Sequence, residues 1–191
     1  MRLVLASTSP YRRQLLARLG LPFETAAPAV DESPRPDEAP RVLALRLAEA
    51  KARAIGAVQR DALVIGSDQV ADLGGAPIGK PGTHDRAVAQ LRQLRGRGVD
   101  FHTALALLNT ARGTLQTGVV TVRVQFRDYS DAQIERYLAC ERPYDCAGSA
   151  KVEGLGIALL ASVDSDDPTA LIGLPLIRLT AMLAAEGVEV P

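Results

Sequence analysis

The stretch LVLASTSPYRRQLLARLG, residues 3–20, passes from an apolar run through a loop of small hydroxyl residues into an amphipathic segment. Residues 2–6 are typical of a short buried strand. Ser9 can cap a helix, and Pro10 suits its first turn because the N–H that proline lacks has no partner there. Leucines form the buried stripe of this helix, and Gly20 ends it. A strand that leads directly into a helix predicts an α/β fold.

The rest of the chain alternates helices and strands in a pattern that predicts a mixed sheet. Residues 21–40 are rich in prolines and acids and predict an irregular surface loop. Apolar periodicity and capping residues then predict, in order, a helix at 41–58, a buried strand at 62–66, a helix at 83–95, an antiparallel hairpin of 99–109 and 114–127, a helix after the Ser130/Gln133 capping box, a strand at 156–163 and a helix from about Pro175 to Glu186. We therefore expect an α/β fold with a mixed twisted sheet flanked by helices.

The composition indicates a globular protein and argues against several classes of partner. The chain has 191 residues, of which 47% are hydrophobic and 23% charged, and its 22 basic residues balance 22 acidic ones. A net charge of zero predicts no bulk attraction to nucleic acid or to an anionic membrane. No apolar run is long enough to cross a bilayer, and the N-terminal one is too short for a signal peptide, so we expect a cytoplasmic protein. Cys140 and Cys146 lack a zinc-site pattern and are expected to be free, buried thiols.

Only three of the 22 basic residues are lysines, at positions 51, 80 and 151. Lys51 shares an apolar helical stripe with Leu43, Leu47 and Ile55, at four-residue steps. Either it points inward, where a buried ammonium requires an anionic partner, or it snorkels along the helix edge to water. Lys80 lies in a Gly-Lys-Pro turn, which fixes the direction of its side chain but is a weak signal on its own.

The hydroxyl-rich loop around Ser7 and the helix start that follows it are typical of an anion site. Free backbone N–H groups and the positive end of the helix dipole favour an anion there. The guanidinium groups of Arg12 and Arg13 match phosphate oxygens. Adjacent helical residues diverge by about 100°, however, so both need not face one ligand, and the alternative is that both arginines are solvated.

A carboxylate, Asp68, follows the predicted strand at 62–66, at the position where ligands gather in open α/β sheets. It can hold Mg²⁺ against phosphates, activate water, or both; the alternative is that it only caps a turn. Together with Asp31, Glu32 and the basic residues above, it predicts a site for a polyphosphate and a divalent metal. The chain has no G-x-x-x-x-G-K-S/T motif, which excludes a P-loop nucleoside triphosphatase.

Seven segments resemble the ordered motifs of Maf-like proteins: LASTSPYRRQLL, VDES, RLAEAKA, IGSDQV, GKP, AGSAKVEGLG and LIGLPL. The resemblance runs from residue 3 to about residue 185. It implies a single Maf-like pyrophosphatase domain over residues 1–191. It also implies a fold similar to that of inosine triphosphatases, with a ligand cleft between two lobes.

The resemblance further implies a nucleoside triphosphate pyrophosphatase, which cuts its substrate between the α and β phosphates and requires a divalent cation, Mg²⁺ or Mn²⁺. By motif, Asp68 resembles the proton acceptor that activates water. The residues that resemble the phosphate-binding set are Ser7, Arg12, Arg13, Lys51 and Lys80. Glu32 resembles an acid that holds the metal or the substrate, with Asp68 as a second metal ligand. A homodimer would be usual for this family, although no interface is readable in the sequence.

Three positions separate the branches of this family. In the branch active on dTTP and UTP, the corresponding residues are Arg, A-D-T and Gln, where this chain has Tyr11, S-D-Q and Glu153. The chain therefore resembles the other branch, which acts on 7-methyl-GTP. The 7-methylguanine ring is cationic, and an aromatic ring such as Tyr11 attracts it by roughly 0.5–2 kcal/mol. Glu153 can accept from the N1–H and amine of guanine, and Gln69 can bind a base edge or the ribose. The alternative is that Tyr11 packs on its helix and that Glu153 is a solvated loop acid.

These observations predict an enzyme that converts 7-methyl-GTP to 7-methyl-GMP and pyrophosphate. Two other functions stay open: a pyrophosphatase of broader nucleotide specificity, and a non-catalytic nucleotide-binding regulator of cell division. A non-catalytic protein would have no chemical need for the water-activating carboxylate of Asp68.

Overall fold

The computed structural model describes residues 1–190 and confirms a mixed seven-stranded sheet flanked by helices. Its strands are β1 (Arg2–Ala6), β2 (Glu24–Ala26), β3 (Ala62–Leu73), β4 (Ala76–Ile78), β5 (Gly98–Asn109), β6 (Thr114–Phe126) and β7 (Leu160–Asp164). The α-helices within the described residues are α1 (Pro10–Ala17), α2 (Pro40–Gly56), α3 (His84–Leu94), α4 (Asp131–Glu141) and α5 (Leu176–Ala185). No described helix combines the length and apolar character needed to cross a bilayer.

The capping residues set the helix starts as the sequence predicts. Ser9 accepts a hydrogen bond from the backbone N–H of Arg12, and Thr83 does the same for Arg86 at the start of α3. At α4 the predicted capping box is complete, with the Ser130 and Gln133 side chains each bound to the other residue's backbone N–H. These bonds satisfy N–H groups that the first helical turn leaves without a partner.

Strand β3 departs from its predicted length, because it continues through the polar residues that were expected to end it. The prediction ended the strand at residue 66, but β3 extends to Leu73, so Asp68 lies inside a strand rather than beyond one. Long antiparallel pairing with β5, from Leu63 to Asp72 of β3, holds this polar part of the strand in the sheet. The partners of Ser67 to Asp72 lie 28 to 38 residues further along the chain, so a local sequence pattern does not show them.

Two further predictions need correction. The segment 21–40 is not wholly irregular, since β2 pairs in parallel with β1. The strand expected at 156–163 begins only at Leu160, after a one-turn helix over Leu155–Leu159. The sheet order is β2-β1-β3-β5-β6-β7, with β4 paired to β3.

The sheet has a gap on one edge of β3. Strand β1 pairs with residues 62–66 of β3, and β4 pairs with residues 71–73 on the same edge, since β5 occupies the other edge. Residues 67–70 therefore have no neighbouring strand on that edge among the described residues. The side chains of residues 67–70 alternate between the two faces of β3, so side chains from both faces border this gap.

The helices divide one face of the sheet into two lobes. Helices α1 and α5 pack leucines against β1 and the first half of β3, whereas α3 and α4 pack against the second half of β3 and the hairpin of β5 and β6. Helix α2 alone covers the opposite face, with the predicted stripe buried along its length.

Gly66 allows α2 to approach β3 closely. A Cβ atom at this position would meet the backbone oxygen of Ala48 and lie 2.7 Å from the backbone nitrogen of Ala52. Real side chains do not tolerate such contacts with backbone, so a larger residue at 66 would push the helix off the sheet. Lys51 lies on the same stretch of α2, so a displaced helix would also displace Lys51.

We predict that Gly66→Ala destabilises the protein by about 2 kcal/mol or more, because the added methyl group overpacks the α2–β3 contact. For a chain of this size that is a fall of roughly 4–8 °C in Tm, measurable by calorimetry. Gly98→Ala is the matched control, since its Cβ would meet only Gln125 Oε1 at 3.5 Å. Equal Tm values for the two variants would contradict the close approach.

Candidate active site

A cleft of about 560 Å³ opens at the gap in the sheet and continues between the two lobes. Four segments supply most of its polar lining: the loop between β1 and α1, the 67–70 stretch of β3, the turn after β4, and residues 145–153. The lining residues that the sequence predicted as functional are Ser7, Tyr11, Arg12, Glu32, Lys51, Asp68, Gln69, Lys80 and Glu153. Of the predicted residues, Arg13 and Asp31 do not line the cleft.

The centre of the cleft is an ammonium group between two carboxylates. Lys51 Nζ lies 2.5 Å from Asp68 Oδ1 and 2.6 Å from Glu32 Oε1. The Lys51 and Asp68 side chains are only 7% and 11% exposed, whereas Glu32 is 56% exposed. Lys51 therefore points inward and does not snorkel, and its buried charge has the partner that it requires. Asp68 is bound to this lysine and does not cap a turn.

The local charges also act on Glu32. Its partial burial alone would raise its pKa, but the hydrogen bond and charge of Lys51, with further contributions from Lys80 and Arg12, hold the pKa below its usual value. Glu32 is thus an anion at neutral pH and faces three cations of the same cleft. Asp31, in contrast, accepts from the backbone N–H of Ser33 and does not line the cleft.

The two adjacent arginines diverge, as the helical geometry allows. Arg12 is half-buried, and its Nε donates to the carbonyl of Gly173 at 2.9 Å. Burial lowers the pKa of Arg12, and the charges of Asp68 and Glu32 oppose that effect. Arg13 is exposed on α1 outside the cleft, so the structure does not bring it together with the other predicted phosphate-binding residues.

The loop before α1 is rigidly built. Ser7 is buried, and its Oγ accepts from the backbone N–H of Ser9 at 3.1 Å. Ser9 in turn caps α1, and the start of that helix lines the cleft. Lys80 is exposed, lies after β4 and also lines the cleft. The cleft thus has a helix N-terminus and three cationic side chains around the two acids, which is an environment for a bound anion.

Gln69 points to the other face of β3 from Asp68. Its Nε2 lies 2.9 Å from Thr103 Oγ1 and 3.0 Å from each of the carbonyls of Ala170 and Leu171. These bonds fasten the 170–173 segment, whose Gly173 carbonyl binds Arg12 and Ser67. Gln69 lines the cleft and also holds one of its walls.

The far end of the cleft contains Tyr11, Asp145, Cys146 and Glu153. The Tyr11 hydroxyl lies 3.5 Å from Asp145 Oδ2. Burial raises the pKa of Tyr11 above its usual value, and Cys146, Asp145 and Glu153 raise it further. Sequence reasoning missed Asp145 and Cys146; the available signal was their position directly before the glycine-rich AGSAKVEGLG segment.

The loop that carries Glu153 is fixed by Glu141 at the end of α4. Lys151 Nζ lies 2.6 Å from Glu141 Oε1, and the backbone N–H of Leu155 donates to Glu141 Oε2 at 2.8 Å. Gly154 between them leaves room for the carboxylate, since a Cβ there would lie 2.7 Å from Glu141 Oε2. Lys151, unlike the other two lysines, is therefore structural.

Comparison with known sequences gives the family of the protein. The sequence profile described as Maf-like protein matches residues 2–186. This chain belongs to the Maf family. Three relatives are each named 7-methyl-GTP pyrophosphatase.

These relatives of the Maf-family chain cover nearly its whole length. The protein from a Polaromonas species is 64% identical over 186 residues, which is 97% of this chain and 85% of its own length. The protein from Thiobacillus denitrificans is 62% identical over 188 residues, 98% of this chain and 94% of its own length. The protein from Methylobacillus flagellatus is 60% identical over 188 residues, 98% of each chain.

The two cysteines of this Maf-family chain differ from the expectation that both are buried. Cys140 is exposed, and Cys146 is half-buried in the cleft. Burial, with the nearby charges of Asp145 and Glu153, raises the pKa of Cys146 to about 12. Its thiol is thus protonated at neutral pH and is a poor nucleophile despite its place in the cleft.

We predict that Cys146 reacts with iodoacetamide at pH 8 at least about tenfold more slowly than a free cysteine, since its thiolate fraction is about 10³-fold lower. The measurement uses a Cys140→Ser background and mass spectrometry. The rate should rise about tenfold per pH unit up to pH 10, because only the thiolate reacts. A rate that levels off near pH 9 would contradict the raised pKa.

Proposed function

We propose that this chain hydrolyses 7-methyl-GTP to 7-methyl-GMP and pyrophosphate with a divalent cation. The observation that carries the proposal is that one cleft contains two groups of side chains. At one end Lys51 contacts Asp68 and Glu32, and at the other end lie Tyr11 and Glu153. Cations at one end suit a polyphosphate, and an aromatic ring with a carboxylate at the other suits a cationic base. The names of the relatives point to the same substrate. A single domain over 1–191, a cytoplasmic location and a homodimer stay predictions.

The phosphates bind at the cationic end in this proposal. Arg12, Lys51 and Lys80 supply the positive side chains, and the Ser7 loop supplies backbone N–H groups at the start of α1. The carbonyl of Gly173 orients the Arg12 guanidinium before substrate arrives. Arg13 is no part of this set, because it lies on the exposed side of α1.

Asp68 accepts the proton of the attacking water. In the free protein Lys51 is bound to this carboxylate, and the incoming phosphates compete for that ammonium. Water oxygen then forms a bond to the α-phosphorus as the bond from that phosphorus to the α–β bridging oxygen breaks. Pyrophosphate leaves with the bridging oxygen, and the water proton passes to Asp68 and on to solvent.

Glu32 and Asp68 are the residues that would hold the metal. Both contact the same Lys51 nitrogen, so their oxygens converge on one point, and oxygen donors are what Mg²⁺ and Mn²⁺ prefer. Within residues 1–190 no group of three or more His, Cys, Asp or Glu side chains could hold a metal, and substrate phosphates and water would supply the other ligands. When bound, the cation neutralises phosphate charge.

The base binds at the far end, where Tyr11 and Glu153 lie. A cationic ring gains roughly 0.5–2 kcal/mol from the Tyr11 face, and the Glu153 carboxylate accepts from the Watson–Crick edge of guanine. Gln69 is tied to Thr103 and the 170–171 carbonyls, so it acts on specificity through the wall of the cleft. Pyrimidines offer neither the cationic ring nor the guanine donors.

We predict that the purified protein with Mg²⁺ has a kcat/KM for 7-methyl-GTP at least about tenfold above that for GTP, dTTP or UTP, because the base end adds roughly 1.4 kcal/mol or more for a cationic guanine. Pyrophosphate release measures it. EDTA should abolish turnover. Equal rates on all four nucleotides would favour a broad-specificity pyrophosphatase instead, and no turnover of any would favour a non-catalytic binder.

The Asp68→Asn variant is the control for this measurement. It keeps the shape of the side chain and should lose about 10²–10⁴-fold in kcat, as expected when a general base is removed. Its affinity for 7-methyl-GTP, measured by calorimetry, should change little, since Lys51 and Arg12 remain. Normal turnover by this variant would remove Asp68 from the proposed chemistry.

A further inference from the structure

Asp145 occupies the far end of the cleft without an assigned role. It lies between α4 and the turn at Ala147–Ser149, and its side chain faces Tyr11. Besides the Tyr11 hydroxyl at 3.5 Å from Oδ2, the Cys146 thiol lies 3.6 Å from Oδ1. The carboxylate thus borders the space in which the Tyr11 ring meets the base, and it does so from a different segment than Glu153.

Asp145 and Glu153 are two cleft carboxylates that have no salt-bridge partner among the described residues, and the Lys151 ammonium, with which the charge of Glu153 interacts, is itself bound to Glu141. Within residues 1–190, neither takes part in an ion pair, whereas both acids at the other end share Lys51. The charges of both reach the same two groups, because each raises the pKa of Tyr11 and of Cys146.

The cleft is therefore polarised along its length. At the phosphate end, the carboxylates of Asp68 and Glu32 lie near cations, since their charges act on Arg12. At the other end the two free carboxylates create a region of negative potential that a cation would neutralise.

We propose that Asp145 is a specificity-determining residue, which together with Glu153 selects nucleotides whose base carries a positive charge. The substrate class is then cationic, N7-alkylated purine nucleoside triphosphates, selected by ring charge and not by the methyl group itself. This inference rests on the proposed function, which assigns the base to this end of the cleft. In the wild-type protein, two carboxylates would then face the one delocalised positive charge of the base.

A neutral analogue separates charge from shape. In 7-methyl-7-deaza-GTP a carbon replaces N7, so the methyl group stays in place while the ring loses its charge. The wild-type protein should hydrolyse this analogue with a kcat/KM close to that for GTP and well below that for 7-methyl-GTP. If the analogue is hydrolysed as efficiently as 7-methyl-GTP, the site recognises the methyl group and the inference is wrong.

The Asp145→Asn variant tests the residue. Its kcat/KM ratio of 7-methyl-GTP over GTP should fall about two- to fivefold, the range for an exposed charge pair, mainly through a higher KM for 7-methyl-GTP. Asp145→Glu should restore most of the ratio. Asp164→Asn, an exposed carboxylate on β7 outside the cleft, is the matched control and should leave the ratio unchanged.

Salt provides a readout that a purely structural role would not move. The wild-type ratio should shrink as ionic strength rises from about 0.01 to 1 M, because the screening length falls from about 30 to 3 Å. The Asn variant should show a weaker dependence. An equal loss of kcat/KM on both substrates, or an unchanged ratio, would overturn the role of Asp145. Failure of the wild-type protein to hydrolyse 7-methyl-GTP would instead overturn the proposed function.

Discussion

The buried contact between Lys51 and Asp68 is the constraint on which the rest of the site depends. An ammonium on the leucine stripe of α2 would be costly in the core without an anion. Asp68 on β3 supplies that anion, with its Oδ1 2.5 Å from Lys51 Nζ. The contact is short only because Gly66 lets the backbone of α2 lie against the strand. Glu32, in the 27–39 loop, contacts the same nitrogen, with its Oε1 2.6 Å away. One interaction therefore joins a helix, a strand and a loop.

The gap in the sheet turns this contact into a site. Because β1 ends at Ala6 and β4 begins its pairing only at residue 71, the polar part of β3 is open on one edge. Strand alternation sends Asp68 toward α2 and Gln69 toward the two lobes. Gln69 fastens the 170–173 segment, and the Gly173 carbonyl of that segment orients Arg12. Arg12, which we propose binds phosphate, is thus held by hydrogen bonds that begin next to Asp68, the proposed general base.

Much of the fold was predictable from local signals, and the failures have a common physical cause. Caps, apolar stripes and the hairpin of β5 and β6 are encoded within a few residues. All five described helices were predicted, α4 by its start alone and the other four close to both bounds. The continuation of β3 past residue 66 was not, because pairing with distant β5 outweighs the turn-like character of Ser67, Asp68 and Gln69. The short β2 depends in the same way on β1.

The candidate site shows the same division. Lys51 stood out because a lysine on an apolar stripe conflicts with its surroundings, and its partner is indeed a carboxylate. Arg12 and Arg13 belong to one sequence motif, and only the helix orientation separates the cleft-lining residue from the exposed one. Asp145 had only its position before the AGSAKVEGLG segment as a signal, and Glu141 had none, since their contacts are with segments that meet only in the folded chain.

The most direct test of this account is a double-mutant cycle on the Lys51–Asp68 contact, measured as free energies of unfolding in denaturant with EDTA present. Lys51→Met and Asp68→Asn should each destabilise the protein, because the first leaves the Asp68 carboxylate buried without its partner and the second leaves the buried ammonium with only the exposed Glu32. The double variant should lose less than the sum of the two, with a coupling of at least ~1 kcal/mol. Additive effects, within about 0.5 kcal/mol, would show that the two side chains do not depend on each other and would contradict the account.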